Sequence, residues 1–218
     1  MRVFHFVNDQ FGLDDIRSRR LKIATLDELN DPFELLGIDL RHSALRSAVQ
    51  QAKSEFSKVR GLLCFSRRGH NPVQWSHYAA RHAGLCLGFD VPDDLLAPVA
   101  YSGRRFVVDV QKMLSTPVPD PKIFERILFT KYAHWRYEAE VRAIVNLRDR
   151  DPATQLYFAD FSNQLQLKQV IVGVRSAVSR ATLKAALGAL ASSVEVFKAR
   201  LAFGTFRVVR QRDSSQWS

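Results

Sequence analysis

The sequence predicts a single α+β domain of many short strands interrupted by helices. Short apolar runs recur along the whole chain, from FHFV near the start to FRVVRQ near the end. They do not alternate regularly with helical segments, as a parallel α/β sheet requires. No repeat, low-complexity tract or linker divides the 218 residues, a length able to bury a substantial core as one domain or two small ones. The expected boundaries are 1–212 for the domain and 213–218 for a frayed tail, DSSQWS.

Residues 2–7, RVFHFV, read as the first strand, with His5 between two phenylalanines. Residues 8–12 turn the chain, and LDDIRSRRLK forms a short helix with acids early and bases late, as the helix dipole favours. KIAT is extended. Asn30, Asp31 and Pro32 then make a turn, since the proline pushes the preceding residue out of the helical region. From Ser43 to Val59 apolar residues fall at three- and four-residue steps, the pattern of an amphipathic helix. LLCFS reads as a buried strand and SRRGHNP as a loop.

Asn71 before Pro72 marks a helix start, a capping residue followed by proline in the first turn. That helix runs through VQWSHYAARH to Gly84, and LCLGFDV is the next strand. RRFVVDV reads as a strand, and Pro117, Pro119 and Pro121 as an extended connection. Residues 122–131 are helical. Strands are then expected over QLYFAD, LKQVIVGV, VEVFKA and TFRVVRQ, with a helix from Ser179 to Leu190.

The most informative stretch is FTKYAHWRYEAEVRAIV, residues 129–145. From Trp135 apolar and polar residues alternate strictly, which predicts a strand. One parity carries Trp135, Tyr137, Ala139, Val141 and Ala143; the other carries Arg136, Glu138, Glu140 and Arg142. Two glutamates at that spacing have Cα atoms about 6.5–7 Å apart and can address one ligand. Their mutual repulsion raises one pKa, while the arginines lower both. The plain alternative is a solvated strand face bearing ordinary ion pairs.

Lys and Arg number 32 against 22 Asp and Glu, giving a net charge of +10 and a pI near 10. Such a surface attracts phosphate-rich ligands and nucleic acid without specifying either. The basic residues are dispersed, including Arg67–Arg68, Arg104–Arg105 and Arg207–Arg210–Arg212, and form no tail. No apolar run approaches the roughly 18 residues of a membrane span, and MRVFHFVNDQFG meets polar residues too early for a signal peptide. The expected location is the cytoplasm, with no membrane partner. Cys64 and Cys86 lack metal spacing and read as buried thiols. There is no dinucleotide-binding glycine fingerprint, phosphate-binding lysine loop, nucleophile elbow or zinc-protease motif. His70, His77 and His82 are not spaced for one helix face, so no metal site is expected.

Four segments together resemble a bacterial family, the domain-of-unknown-function family numbered 2971. They are FHFV with LKIAT and LNDPFE; LLCFS with WSHY; HAGLCLGFD; and WRYEAEVR with VIVGVRS, spanning about residues 2–175. A weaker similarity is to ADP-ribosyltransferase-like folds, which bind NAD in a cleft, and it implies split, mainly antiparallel sheets flanked by helices. That likeness implies NAD as cofactor, with His5, Tyr78 and the pair Glu138/Glu140 in the family's chain order. Tyr78 departs from the pattern, because it reads as helical rather than at a strand start.

The chemistry the resemblance implies is cleavage of the nicotinamide–ribose bond, with Glu140 stabilising the developing positive charge and Glu138 orienting or deprotonating the acceptor. His5 would hold a ribose, Trp75 or Tyr78 would stack on nicotinamide, and Arg142 or Arg136 would meet the pyrophosphate or else form a structural ion pair with the glutamates, with Asn30 and Asp31 also at the cofactor. The acceptor would be a protein or a nucleic acid, DNA or RNA, and a partner protein could hold the domain in check. Each residue has a plain alternative: His5 as a core or edge histidine, Trp75 and Tyr78 as packing residues, Asn30 and Asp31 as a turn. Two other functions stay open. One is a non-catalytic nucleic-acid-binding or regulatory module; the other is a nuclease using Glu138, Glu140 and Asp31 with a divalent metal.

Overall fold

Asparagine caps and short apolar runs set the first elements. The computed structural model describes residues 1–115 and 120–217. Strand β1 (Arg2–Val7) leads into helix α1 (Asp9–Ser18), whose first turn is closed by Asn8 Oδ1 accepting from the Phe11 amide at 2.7 Å. Strand β2 (Arg20–Ile23) follows. Helix α2 (Ser43–Val59) buries Leu45 and Val49 and runs straight into β3 (Arg60–Ser66). Asn71 accepts from the Val73 amide to start α3 (Pro72–Tyr78), and β4 (Leu85–Asp90) comes next.

Two short strands, β5 (Ala97–Pro98) and β6 (Ala100–Ser102), precede α4 (Val110–Ser115). Asp120 caps α5 (Pro121–Leu128), which feeds β7 (Thr130–Tyr132) and then β8 (Glu140–Asn146). The chain ends through β9 (Tyr157–Asp160), β10 (Gln166–Val172), α6 (Arg180–Leu187), β11 (Glu195–Leu201) and β12 (Val208–Arg210). The sheets are mixed and mostly antiparallel, an α+β arrangement. Among the described residues no helix is long and apolar enough to cross a membrane.

The chain divides into two compact units. Unit 1 gathers Met1–Lys22, Phe65–Leu95 and Phe158–Ser218. Its strands lie in the order β12-β11-β10-β4-β1, followed by the end of β3. In this sheet β10 and β11 run parallel, while β1–β4, β4–β10 and β11–β12 pair antiparallel. One face of this sheet packs Cys86, Ile171, Ala199 and Val208 against Trp75 of α3 and Ala79 just after it, with Phe4 and Phe6 alongside. A side chain on Gly84 would collide with the Val7 carbonyl, so only glycine permits this approach.

Unit 2 comprises Ile23–Cys64 and Leu96–Tyr157. It contains β8, paired antiparallel with β5, and the parallel pair β6–β7. Its core packs Leu45 and Val49 of α2 against Leu62 of β3 and Ile127 and Leu128 of α5, with Leu26, Leu35 and Ile38 from the connecting segment.

Several expectations need correction. Residues 8–12 are the cap and first turn of α1, because Asn8 satisfies an amide that would otherwise start a loop. The helix from Pro72 stops at Tyr78 rather than near Gly84; Ala80, Arg81 and His82 all have positive φ (46°, 55° and 72°), which no helix accommodates. RRFVVDV is not a strand. Phe106 makes one bridge, to Ile38, and α4 begins at Val110.

Trp135–Glu138 belongs to a 3₁₀ turn spanning Ala133–Glu138, and Ala139 is left-handed (φ 45°), so β8 starts only at Glu140. Glu138 and Glu140 therefore do not share a strand face. The tail is anchored: Trp217 is 8% exposed, donates its indole N–H to the Val178 carbonyl at 2.9 Å and lies under Arg180. Pro121 begins α5, while Pro117 and Pro119 fall outside the described residues.

Candidate functional site

The turn at LNDPFE determines which acid enters the interior of unit 2. Asp31 Oδ1 accepts from the Phe33 amide at 2.9 Å and its carbonyl accepts from the Glu34 amide at 2.9 Å. This closed turn directs Glu34 inward, where it is 8% exposed, while Asn30 stays at the surface. Asp31 is buried and its Oδ2 has no hydrogen-bond partner. From β7 comes Lys131, and from either side of the left-handed Ala139 come Glu138 and Glu140. Arg142 completes the group two residues along β8 and is 1% exposed.

These five side chains form one buried ionic cluster. Lys131 Nζ donates to Glu138 Oε2 at 2.7 Å and to Glu140 Oε2 at 3.2 Å, with Glu34 Oε2 at 3.8 Å. Arg142 grips Glu140 with two nitrogens, Nε–Oε1 at 2.7 Å and Nη2–Oε2 at 3.1 Å, and donates from Nη1 to the Leu128 carbonyl at 2.6 Å. Its Nη2 also comes within 2.8 Å of Glu34 Oε1 without hydrogen-bond alignment, so both Glu34 oxygens lack a hydrogen-bond partner. The Glu140 amide donates to the Tyr101 hydroxyl at 2.8 Å, fixing the start of β8.

Three carboxylates and two cations leave the cluster one negative charge in excess if all ionise. Protonation of Glu34 removes that excess. Burial pushes the Glu34 pKa up, and Arg142 and Lys131 only partly oppose it. Burial acts the same way on Glu140, but there Arg142 and Lys131 prevail and hold it below the ordinary carboxylate value. Lys131 and Arg142 both stay charged, because the glutamates outweigh the cost of burial. The Cys64 thiol is pushed up by burial and by Glu140, and Cys86 by burial, so neither is a ready nucleophile.

A stability profile tests the proton on Glu34. A carboxyl with a raised native pKa keeps its proton when the unfolded chain has lost it, so stability falls as pH rises above about 4.5. Glu34→Gln is expected to match the wild type at acid pH and to gain on it steadily as pH rises to neutral. Urea unfolding across that range measures the difference; a gap independent of pH would mean that Glu34 is ionised in the folded protein.

Beside the cluster lies a cavity of about 340 Å³ within unit 2. Lys131 forms part of its wall, the rings of Phe33 and Tyr132 border it, and Ser102, Arg104 and Arg105 lie along one side. Ser102 Oγ accepts from the Arg104 amide at 3.1 Å and donates to the Arg104 carbonyl at 2.6 Å, so the two arginines project from a fixed turn. Both are exposed, and among the described residues neither makes an ion pair. Arg105 sits 5.9 Å from the Phe33 ring centre. Two guanidiniums outside any close ion pair among the described residues, beside two aromatic faces, suit a ligand with a flat ring and an anionic group.

No protein-family model, curated protein or solved structure matches the chain. The site therefore rests on its own geometry.

The expected site residues are distributed as follows. Glu138, Glu140 and Arg142 come together, but as a closed ionic cluster rather than an open strand face. Asn30 and Asp31 shape the turn that delivers Glu34. His5, Trp75 and Tyr78 belong to unit 1, where Phe4 and Phe6 on one parity of β1 join the Trp75 cluster and His5, on the other, packs edge-on to Phe65 at 6.2 Å. His5 and Trp75 consequently lie on opposite faces of that strand and cannot share a stacking pocket. Tyr78 is the last residue of α3 and half-buried. Of the acids proposed for a nuclease, Glu138 already holds the Lys131 ammonium and Glu140 holds both Lys131 and the Arg142 guanidinium, while Asp31 is committed to its turn, and among the described residues no set of three or more His, Cys, Asp or Glu is placed to hold a metal ion. Sequence reasoning missed Glu34 and Lys131, which come from distant segments; the Arg104–Arg105 doublet, at the head of a run read as a strand, was the available signal for the pocket.

Proposed function

We propose that unit 2 binds a nucleotide-class ligand in the cavity between Phe33, Tyr132, Arg104 and Arg105, and that the buried ionic cluster holds the cavity wall in shape. The observation that carries this reading is the pair of unpaired arginines set beside two exposed aromatic rings. A base or nicotinamide would stack on an aromatic face, and the guanidinium forks would take phosphate oxygens in pairs. The ADP-ribosyltransferase resemblance makes NAD the first ligand to test and gives the reading its enzymatic form.

In that form the glutamates need a different role from the one their spacing suggests. Glu140 has both oxygens committed to Arg142 and Lys131, so it acts on a bound ribose only after Lys131 swings away. While the cluster is closed, Glu138 and Glu140 are positioning residues for Lys131.

Calorimetric titration of NAD, ADP-ribose and inorganic phosphate into the protein, beside a nicotinamide-release assay, tests the proposal. Wild-type binding of NAD or ADP-ribose, weakened about tenfold or more in Arg104→Ala/Arg105→Ala, is expected, since each bidentate charged contact contributes on the order of 1.5–3 kcal/mol. Nicotinamide release lost in Glu140→Gln would establish the transferase form; binding without release leaves a nucleotide sensor. Absence of binding at millimolar ligand would sink both.

A further inference from the structure

The turn between β11 and β12 carries a feature that the cavity of unit 2 does not use. The register pairs Leu201 with Val208, and the Ala202 amide donates to the Arg207 carbonyl at 2.9 Å. That bond closes the hairpin, and residues 203–206, Phe-Gly-Thr-Phe, form its tip. Phe203 is 96% exposed and Phe206 98% exposed. Single exposed apolar residues are ordinary, but two aromatic rings held in water on one closed tip are not.

The chemistry around the rings is cationic. Arg200 lies over the Phe203 ring at 4.6 Å, and Arg207 follows Phe206 directly. The loop of residues 67–70 adds Arg67 and Arg68 and is joined to the hairpin by the Val208 amide donating to the His70 carbonyl at 2.9 Å. Among the described residues none of these four arginines is in an ion pair. Arg207 and Arg68 also hold the His70 pKa down, behind burial as the larger cause, a sign that the local field is positive. A shallow groove of about 580 Å³, reaching His82, runs along the tip.

We infer that this hairpin docks single-stranded nucleic acid, with bases stacked on Phe203 and Phe206 and phosphates held by Arg200, Arg207, Arg67 and Arg68. Aromatic faces interleaved with unpaired arginines are what a strand with exposed bases requires. A duplex hides its base faces and offers only phosphates and groove edges. The surface lies wholly within unit 1, and the inference does not depend on the nucleotide reading of unit 2.

The test is fluorescence anisotropy with a labelled oligothymidylate of about 12 nucleotides, titrated at several salt concentrations between about 50 and 200 mM. Controls are a duplex of equal length, an abasic strand and anionic phospholipid vesicles. Phe203→Ala/Phe206→Ala is expected to weaken oligothymidylate binding about tenfold or more while leaving the salt slope unchanged, and both substitutions are at side chains too exposed to disturb the fold. Arg207→Ala is expected to lower the slope by about 0.7. The abasic strand should bind the wild type as weakly as oligothymidylate binds the double variant. Equal binding of the duplex or the abasic strand would overturn the inference. So would phenylalanine-dependent capture of vesicles with the oligonucleotide unaffected, which would make the hairpin a membrane contact.

Discussion

Arg142→Leu is expected to destabilise the protein by about 3–5 kcal/mol, the usual cost of removing one partner from a buried charge cluster. The guanidinium is 1% exposed and carries contacts to Glu140, to Glu34 and to the Leu128 carbonyl. Without it Glu140 keeps only Lys131, three acids face one cation, and a buried carbonyl loses its donor. The loss is a large share of the roughly 5–15 kcal/mol that holds a typical domain folded. Urea unfolding at neutral pH measures it. Adding Glu140→Leu is expected to restore much of the loss, because the second substitution removes the stranded charge. A single-variant cost below about 1 kcal/mol would show that water enters the cluster freely.

Trp75→Ala is expected to cost a similar amount, about 3–5 kcal/mol, through a different mechanism. Trp75 is 0% exposed and is the anchor of α3 on the sheet of unit 1. Its ring meets Phe6 edge-on at 5.4 Å, stacks with His82 at 6.2 Å, and donates its indole N–H to the Gly69 carbonyl at 2.9 Å. Truncation leaves a cavity and an orphaned carbonyl together. Trp75→Phe separates the two: it retains most of the apolar contact and loses the hydrogen bond, so a cost of about 1–2 kcal/mol is expected. If Trp75→Phe proved as damaging as Trp75→Ala in thermal or urea unfolding, the hydrogen bond rather than the packing would dominate.

The elements legible in the sequence were those fixed by local chemistry. The Ser43–Val59 helix follows from apolar spacing, the start of α3 from Asn71 and Pro72, and β1 and β4 from compact apolar runs. The alternation from Trp135 misled because a strand and a 3₁₀ turn both tolerate it, and the break falls on Ala139, where no glycine signals a left-handed residue. The end of α3 failed for the same reason, since Ala80, Arg81 and His82 take positive φ without a glycine. RRFVVDV has strand composition but finds only one bridging partner. The paired glutamates were visible as a pattern; their closure by Lys131 and Glu34 was not, because those contacts join residues far apart in the chain. The tail went unread because a single terminal tryptophan gives no periodicity, and Val178 and Arg180 supply its anchorage from afar.

Unit 1 is woven from three separated segments, and the last of them, Phe158–Ser218, supplies three strands of its larger sheet, β10, β11 and β12. During synthesis the whole of unit 2 leaves the ribosome before that segment is complete. At about 5–20 residues per second the nascent β1–β4 ribbon waits several seconds for β10 to cover the free edge of β4. Throughout that interval an apolar strand, LCLGFD, presents unpaired amides and carbonyls to other chains. Yield in the cell should therefore depend on translation speed and chaperone supply more than the stability of the finished protein would suggest.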